Sequence, residues 1–144
     1  MGQVLSWMHA EEMLGARVSA RRAREFVTFH LRGHDLRVLE DDIRLAASEL
    51  VTNALVHAQT AITVLLQREG PVVTLTVSDL SPLAPTMSTR GEDGRANLGL
   101  TLVAALSSDW GVTSRPGGGK SVWASFEADS QAVNGDGKGV VPVS

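Results

Sequence analysis

One change of period constrains this chain more than any other feature in it. Residues 40–57 carry Ile43, Ala46, Ala47, Leu50 and Ala54 at intervals of three and four, the repeat of one buried helix face. Glu40, Asp41 and Asp42 open that stretch, where negative charge suits the positive end of a helix dipole. Immediately afterwards ITVLLQR (62–68) and VVTLTVS (72–78) are rich in β-branched residues and alternate instead. Ile62, Val64 and Leu66 share one face of the first run, and Val73, Leu75 and Val77 share one face of the second. Glu69-Gly70-Pro71 between them reads as a hairpin connection. A helix with one apolar stripe, followed by a hairpin with one apolar face, buries both by laying one on the other.

The remaining segments extend this plan. Residues 19–32 predict a helix with Ser19 as N-cap, Ala23, Phe26, Val27 and His30 along one side, and Gly33 as its stop. GHDLRVLE reads as a linker. Residues 1–18 fit a short helix or a lead-in strand, with Val4, Leu5, Trp7 and Met8 as the apolar positions. Residues 79–97 show no periodicity and much Pro, Gly, Ser and Asp; a loop of that length inside a compact domain is either functional or disordered. A helical pattern returns at 98–108, and DWGVTSR and KSVWASFEA read as two more strands joined by PGGG. The order predicts an α+β fold, a two-layer sandwich of a mostly antiparallel sheet with about three helices on one face. Residues 1–18 are then a lead-in, 19–129 one domain, and 130–144, with NGDGKG, a flexible tail.

Composition removes several function classes. The formal net charge of -3 lacks the basic surplus of a nucleic-acid binder, and the cluster Arg17, Arg21, Arg22, Arg24 reads as a solvated helix face. There is no cysteine, so disulfides and thiolate metal sites are excluded, which agrees with a reducing cytoplasm. The first residues, MGQVLSWMHAEEMLG, lack the basic start and apolar core of a secretory signal. No stretch approaches the roughly 18 apolar residues that span a bilayer. The expectation is a cytoplasmic protein with no direct nucleic-acid or membrane contact.

Glu49 and Asn53 are the chemistry-bearing residues of the clearest helix. Four positions apart, they share a face at the edge of the apolar stripe. The pair offers a base and an oxygen ligand, and Mg²⁺ takes oxygen ligands that it shares with substrate phosphates. Taken by itself the pair reads more readily as a solvated glutamate and a surface asparagine. Asp79 ends the second hairpin strand, where a carboxylate can accept from an amino group, although such a residue is more often part of a turn. Asn97-Leu98-Gly99 begins the next helical pattern, and a helix start presents backbone N–H groups to phosphate. PGGGKS imitates the end of a phosphate-binding P-loop, but Ser114 stands where that motif needs glycine, and a strand follows. His9, His30, His34 and His57 show no metal-ligand spacing.

The string ASELVTNALVHA (47–58) resembles the N box of the GHKL (Bergerat-fold) ATPase superfamily, and within it the anti-sigma-factor serine/threonine kinases and their single-domain relatives. The resemblance runs from Ser19 to Phe126. It includes SARRAREFV (19–27), VSDLSPLAP (77–85) as the adenine-reading box, LGLTLVAALSSDWGV (98–112) after the lid, and GGGKSVWASF (117–126) as the closing strand. It implies the Bergerat fold, ATP and Mg²⁺ as cofactors, and these roles. Glu49 would activate the attacking hydroxyl, and Asn53 would hold Mg²⁺. Asp79 would accept from the adenine amino group, with Ser121 supporting that contact. Residues 86–97 would form a lid, with Asn97, Leu98 and Gly99 beside the phosphates. Ser81 and Asn97 stand where the family's boxes carry glycine. It further implies a protein partner, such as a sigma factor or an anti-sigma antagonist, and a homodimer. Two readings stay open: a kinase that phosphorylates a protein antagonist and sequesters a sigma factor, or a nucleotide-responsive binding module without turnover.

Overall fold

The computed structural model describes residues 5–14, 16–57, 61–80, 94–115 and 118–128. The expected tail 130–144, Ser81 and most of the expected lid lie outside the described residues. The elements are β1 (Ser6–Met13), α1 (Val18–Gly33), a 3₁₀ turn (Arg37–Leu39), α2 (Glu40–His57), β2 (Ile62–Glu69), β3 (Val72–Asp79), α3 (Gly94–Leu106), β4 (Asp109–Ser114) and β5 (Lys120–Glu127). All pairings are antiparallel, in the order β1-β2-β3-β5-β4. The fold is the α+β sandwich that the period change predicts.

The core forms where the stripes meet. Leu66 pairs with Leu75 and Leu75 with Ala124, while Val64 pairs with Val77 and Val77 with Val122. All six are buried, together with Ala23, Phe26, Val27 and Leu31 of α1 and Ile43, Ala46, Ala47, Leu50, Val51 and Ala54 of α2. The α2 range coincides with the periodic stretch, because its stripe and acidic first turn agree on where the helix begins.

Both ends of α1 depart from expectation. Ser19 is not an N-cap: Arg17 precedes the helix without a side-chain cap, and Ser19 is buried with its hydroxyl donating to the Leu14 carbonyl. The hydroxyl ties the end of β1 to the start of α1. Gly33 is not the stop either. Asp35 takes the left-handed conformation (φ 60°), its N–H bonds the Arg32 carbonyl, and the Leu36 N–H bonds the Leu31 carbonyl at 2.7 Å. This is the Schellman closure, in which the residue after the left-handed one returns to the core. Leu36 and Leu31 are both buried, so GHDLRVLE is a packed helix-to-helix turn and not a free linker. Arg32 then clasps Glu40 in two bonds of 2.9 Å, and this guanidinium holds the Glu40 carboxyl below the usual range.

Residues 1–18, left open between helix and strand, supply the edge strand β1, which docks on α1 through aromatic rings. Trp7 stacks on His34 with centroids 4.0 Å apart, His9 stacks on His30 at 3.8 Å, and the Nε2 atoms of His9 and His34 lie 2.9 Å apart. That contact requires one of the two nitrogens to be unprotonated. Burial lowers the pKa of His30, and the neighbouring His9 and His34 lower it further against the opposing pull of Glu11. His34 is likewise lowered by burial, then by His9 and Arg68. Groups with a depressed histidine pKa bind fewer protons in the folded state, so their stability is present above the ordinary value of about 6.5 and lost as pH falls through it. The denaturant midpoint is expected to fall between about pH 7.5 and about pH 5, ahead of carboxylate titration. A His34→Phe variant, which keeps the stack on Trp7, should flatten that fall; an unchanged slope would show that the cluster does not set it.

Candidate functional site

Three elements frame the candidate site. α2 packs against both β3 and α3, so the helix that carries Glu49 and Asn53 adjoins the strand that ends in Asp79. Ala46, Leu50 and Ala54 hold α2 down with their side chains in the core, which leaves Glu49 and Asn53 half-buried at the edge of the same face. Neither makes a hydrogen bond or ion pair among the described residues, and both keep their oxygens available. On the same helix, Ser48 accepts from Arg24 at 3.1 Å, which links α1 to α2 beside this edge.

Asp79 is placed differently from a turn carboxylate at a strand end. It is 2 % exposed on the helix-facing side of β3, in phase with Val73, Leu75 and Val77. Its cross-strand neighbour on β5 is Lys120, whose Nζ donates to Asp79 Oδ2 at 2.8 Å. Both side chains are 2 % exposed. Lys120 was not among the residues that the sequence singled out. Alternation counted back from Phe126, Ala124 and Val122 points it inward, and an inward lysine at the end of a strand requires a carboxylate partner.

Ser121 falls on the opposite face. It pairs in register with Ser78, and the two hydroxyl oxygens lie 2.7 Å apart. The structure therefore brings Lys120 to Asp79 and places the Ser121 side chain on the other face of the sheet, because successive strand residues face opposite ways. Gly119 precedes Lys120 with φ 96°, and a Cβ there would lie 2.5 Å from the Asp79 carbonyl oxygen. Glycine at that position lets the β5 backbone approach β3 closely enough for the ion pair to close.

α3 begins at Gly94, so Asn97, Leu98 and Gly99 lie within its first two turns and not ahead of it. The backbone N–H groups without a helical partner at this end include those of Gly94, Arg95 and Ala96, and not those of Leu98 or Gly99. The Gly-Arg-Ala-Asn run reads as loop by composition, but it is close enough to the apolar stretch beyond it to be drawn into the helix.

The donor set at α2 fits a hard cation. Asn53 offers a carboxamide oxygen and Glu49 a carboxylate one turn away. Mg²⁺ keeps several waters and takes further ligands from phosphates, so it needs few protein oxygens. Among the described residues no group of three or more His, Cys, Asp or Glu is placed to hold a metal ion, so no all-protein cage is present there. No helix of the described residues is long and apolar enough to cross a membrane.

Comparison with known proteins agrees with the fold. The family model for the histidine kinase-like ATPase domain matches residues 16–126, from the start of α1 to the end of β5. No curated protein matches the chain. Among solved structures, the RsbU and RsbW domains of Rv1364c from Mycobacterium tuberculosis superpose with a TM-score of 0.65 at 20% identity. The match covers 84% of this chain and 32% of that one, so the chain spans about a third of the length of that neighbour. At this identity the likeness speaks for the fold.

Proposed function

The chain belongs to the histidine kinase-like ATPase domain family, and we propose that it is an ATP-binding regulator of another protein, of the kind its resemblance to anti-sigma-factor kinases implies. The observation that carries this reading is the placement of Glu49 and Asn53, half-buried at the edge of α2, on the helix that packs against the strand ending in Asp79. Adenine would meet Asp79. Asn53 would hold Mg²⁺ against the phosphates, and the N-terminal end of α3, which begins at Gly94 and includes Asn97, would face them with its first backbone N–H groups. Glu49 would take the proton of a serine or threonine hydroxyl as its oxygen bonds to the γ-phosphorus and ADP leaves. Catalysis of this kind asks for positioning and charge neutralisation more than covalent chemistry from the protein.

The partner on this reading is a protein antagonist that accepts phosphate, a sigma factor that is sequestered, or both, and the setting is the cytoplasm, with the protein working as a homodimer. The second reading, a nucleotide-responsive binding module without turnover, is favoured by one observation: the carboxylate assigned to adenine already has a buried cationic partner.

Calorimetric titration with ATP, with and without Mg²⁺, tests the reading. The parent is expected to bind ATP more tightly when Mg²⁺ is present. Asn53→Ala should lose that Mg²⁺ dependence and bind on the order of tenfold more weakly, the size of one lost interaction with a charged group. No heat of ATP binding from the folded parent would remove the nucleotide reading.

A further inference from the structure

Lys120 has no role in the function set out above, yet it touches the carboxylate on which that function depends. We infer that Lys120 is the specificity-determining residue of the base site: its ammonium competes with the adenine amino group for Asp79. This rests on the reading that Asp79 is the group that adenine meets.

The argument is one of competing donors. Asp79 and Lys120 are a cross-strand pair, 2.8 Å apart at Nζ and Oδ2, both enclosed, with Gly119 bringing the two backbones together. An amino group gains most from a carboxylate that is otherwise poorly satisfied, and an ammonium in direct contact already neutralises this one. To give Asp79 wholly to adenine, the site must leave the ammonium buried without its partner, which costs more than a neutral amino group returns. The parent therefore draws little of its nucleotide affinity from the 6-amino group. Affinity comes from the phosphates and Mg²⁺, and discrimination among purines is weak. A small hydroxyl side chain in place of Lys120 would take the ammonium away from Asp79 and make room beside it, so the base would then be read. Sites built to hydrogen-bond a substrate group discriminate strongly against analogues that lack it, and here Lys120 withholds that discrimination.

The test compares ATP with inosine triphosphate, which has a carbonyl oxygen in place of the amino group, by calorimetric titration of the parent and of Lys120→Ser in the presence of Mg²⁺. The parent should bind the two nucleotides within about threefold of each other, and Lys120→Ser should prefer ATP by about tenfold or more. A parent that already prefers ATP by tenfold overturns the inference, because Asp79 then reads the base with Lys120 in place; this measurement stands even if the variant does not fold. An unchanged ratio in a folded Lys120→Ser, or an equal loss of both nucleotides, also overturns it. Those results leave the nucleotide reading intact. Failure of both folded proteins to bind either nucleotide instead removes that reading, and the inference with it.

Discussion

Asp79→Ala is expected to destabilise the domain by about 3–5 kcal/mol, enough to unfold a marginal protein of this size. The cost does not come from a lost attraction alone. Lys120 is fully enclosed beneath the helices, and truncating its partner leaves an ammonium that can neither reach water nor shed its charge cheaply. Lys120→Met should be costly for the mirror-image reason. The double variant Asp79→Leu/Lys120→Met, which removes both charges and keeps bulk, should recover most of the loss, since apolar replacements of a buried pair are often neutral or better. Urea unfolding of the parent, Asp79→Leu, Lys120→Met and the double variant forms the cycle, with Asp79→Ala measured beside them. A loss below about 1 kcal/mol for Asp79→Ala would mean that the pair is open to solvent, because that is the range of exposed pairs. Arg21 and Glu25 provide the internal contrast. At 3.5 Å, with side chains 70% and 67% exposed, they should contribute almost nothing to the same measurement. One practical consequence is that Asp79→Ala cannot serve as a clean probe of nucleotide binding, because it disturbs the fold before it disturbs the site.

The pair also marks the border of what the sequence discloses. α2, the β2–β3 hairpin and the inward faces of both strands are legible because each has a period that only one packing satisfies. Ile43 and Leu50 cannot face the sheet unless Glu49 and Asn53 stand at its margin, so their placement follows from the stripe. Other features depend on the rest of the chain. The Schellman turn at Asp35 closes because Leu36 finds the core, a fact about packing that Gly33, the better glycine signal, conceals. β1 carries alternate residues of mixed polarity, and its half-buried side includes Trp7, His9 and Glu11, a set that reads as strand only once α1 supplies His30 and His34 to stack on. Lys120 was legible in principle from its phase with Val122 and Ala124. The glycine run before it is the louder sequence signal, and the next residue, Ser121, faces the other way and pairs with Ser78.

Glu49→Ala should separate the enzyme from the binding module. If the protein transfers phosphate, the variant is expected to lose about 10²–10⁴-fold in transfer rate, the usual contribution of a positioned base. Its ATP affinity should change little, because the carboxylate meets the acceptor hydroxyl and not the nucleotide. Its stability should also change little. Glu49 is half-buried, holds no ion pair among the described residues, and is replaced by the residue with the highest helix propensity. A fall in transfer would then report chemistry and not unfolding, a distinction that Asp79 variants do not offer. Asn53→Ala should fail in the complementary way, by weakening Mg²⁺-dependent binding before any chemical step. The measurement is single-turnover transfer of labelled phosphate from ATP to protein partners isolated from the native lysate, with thermal melts run beside it. Transfer that persists undiminished in Glu49→Ala would strip this residue of the role, and the base would have to be sought elsewhere. Absence of transfer by the parent to every isolated partner, with ATP still bound, would favour the binding module. In that case Glu49 is a helix-edge carboxylate, and nucleotide binding acts only by changing which surface the partner meets.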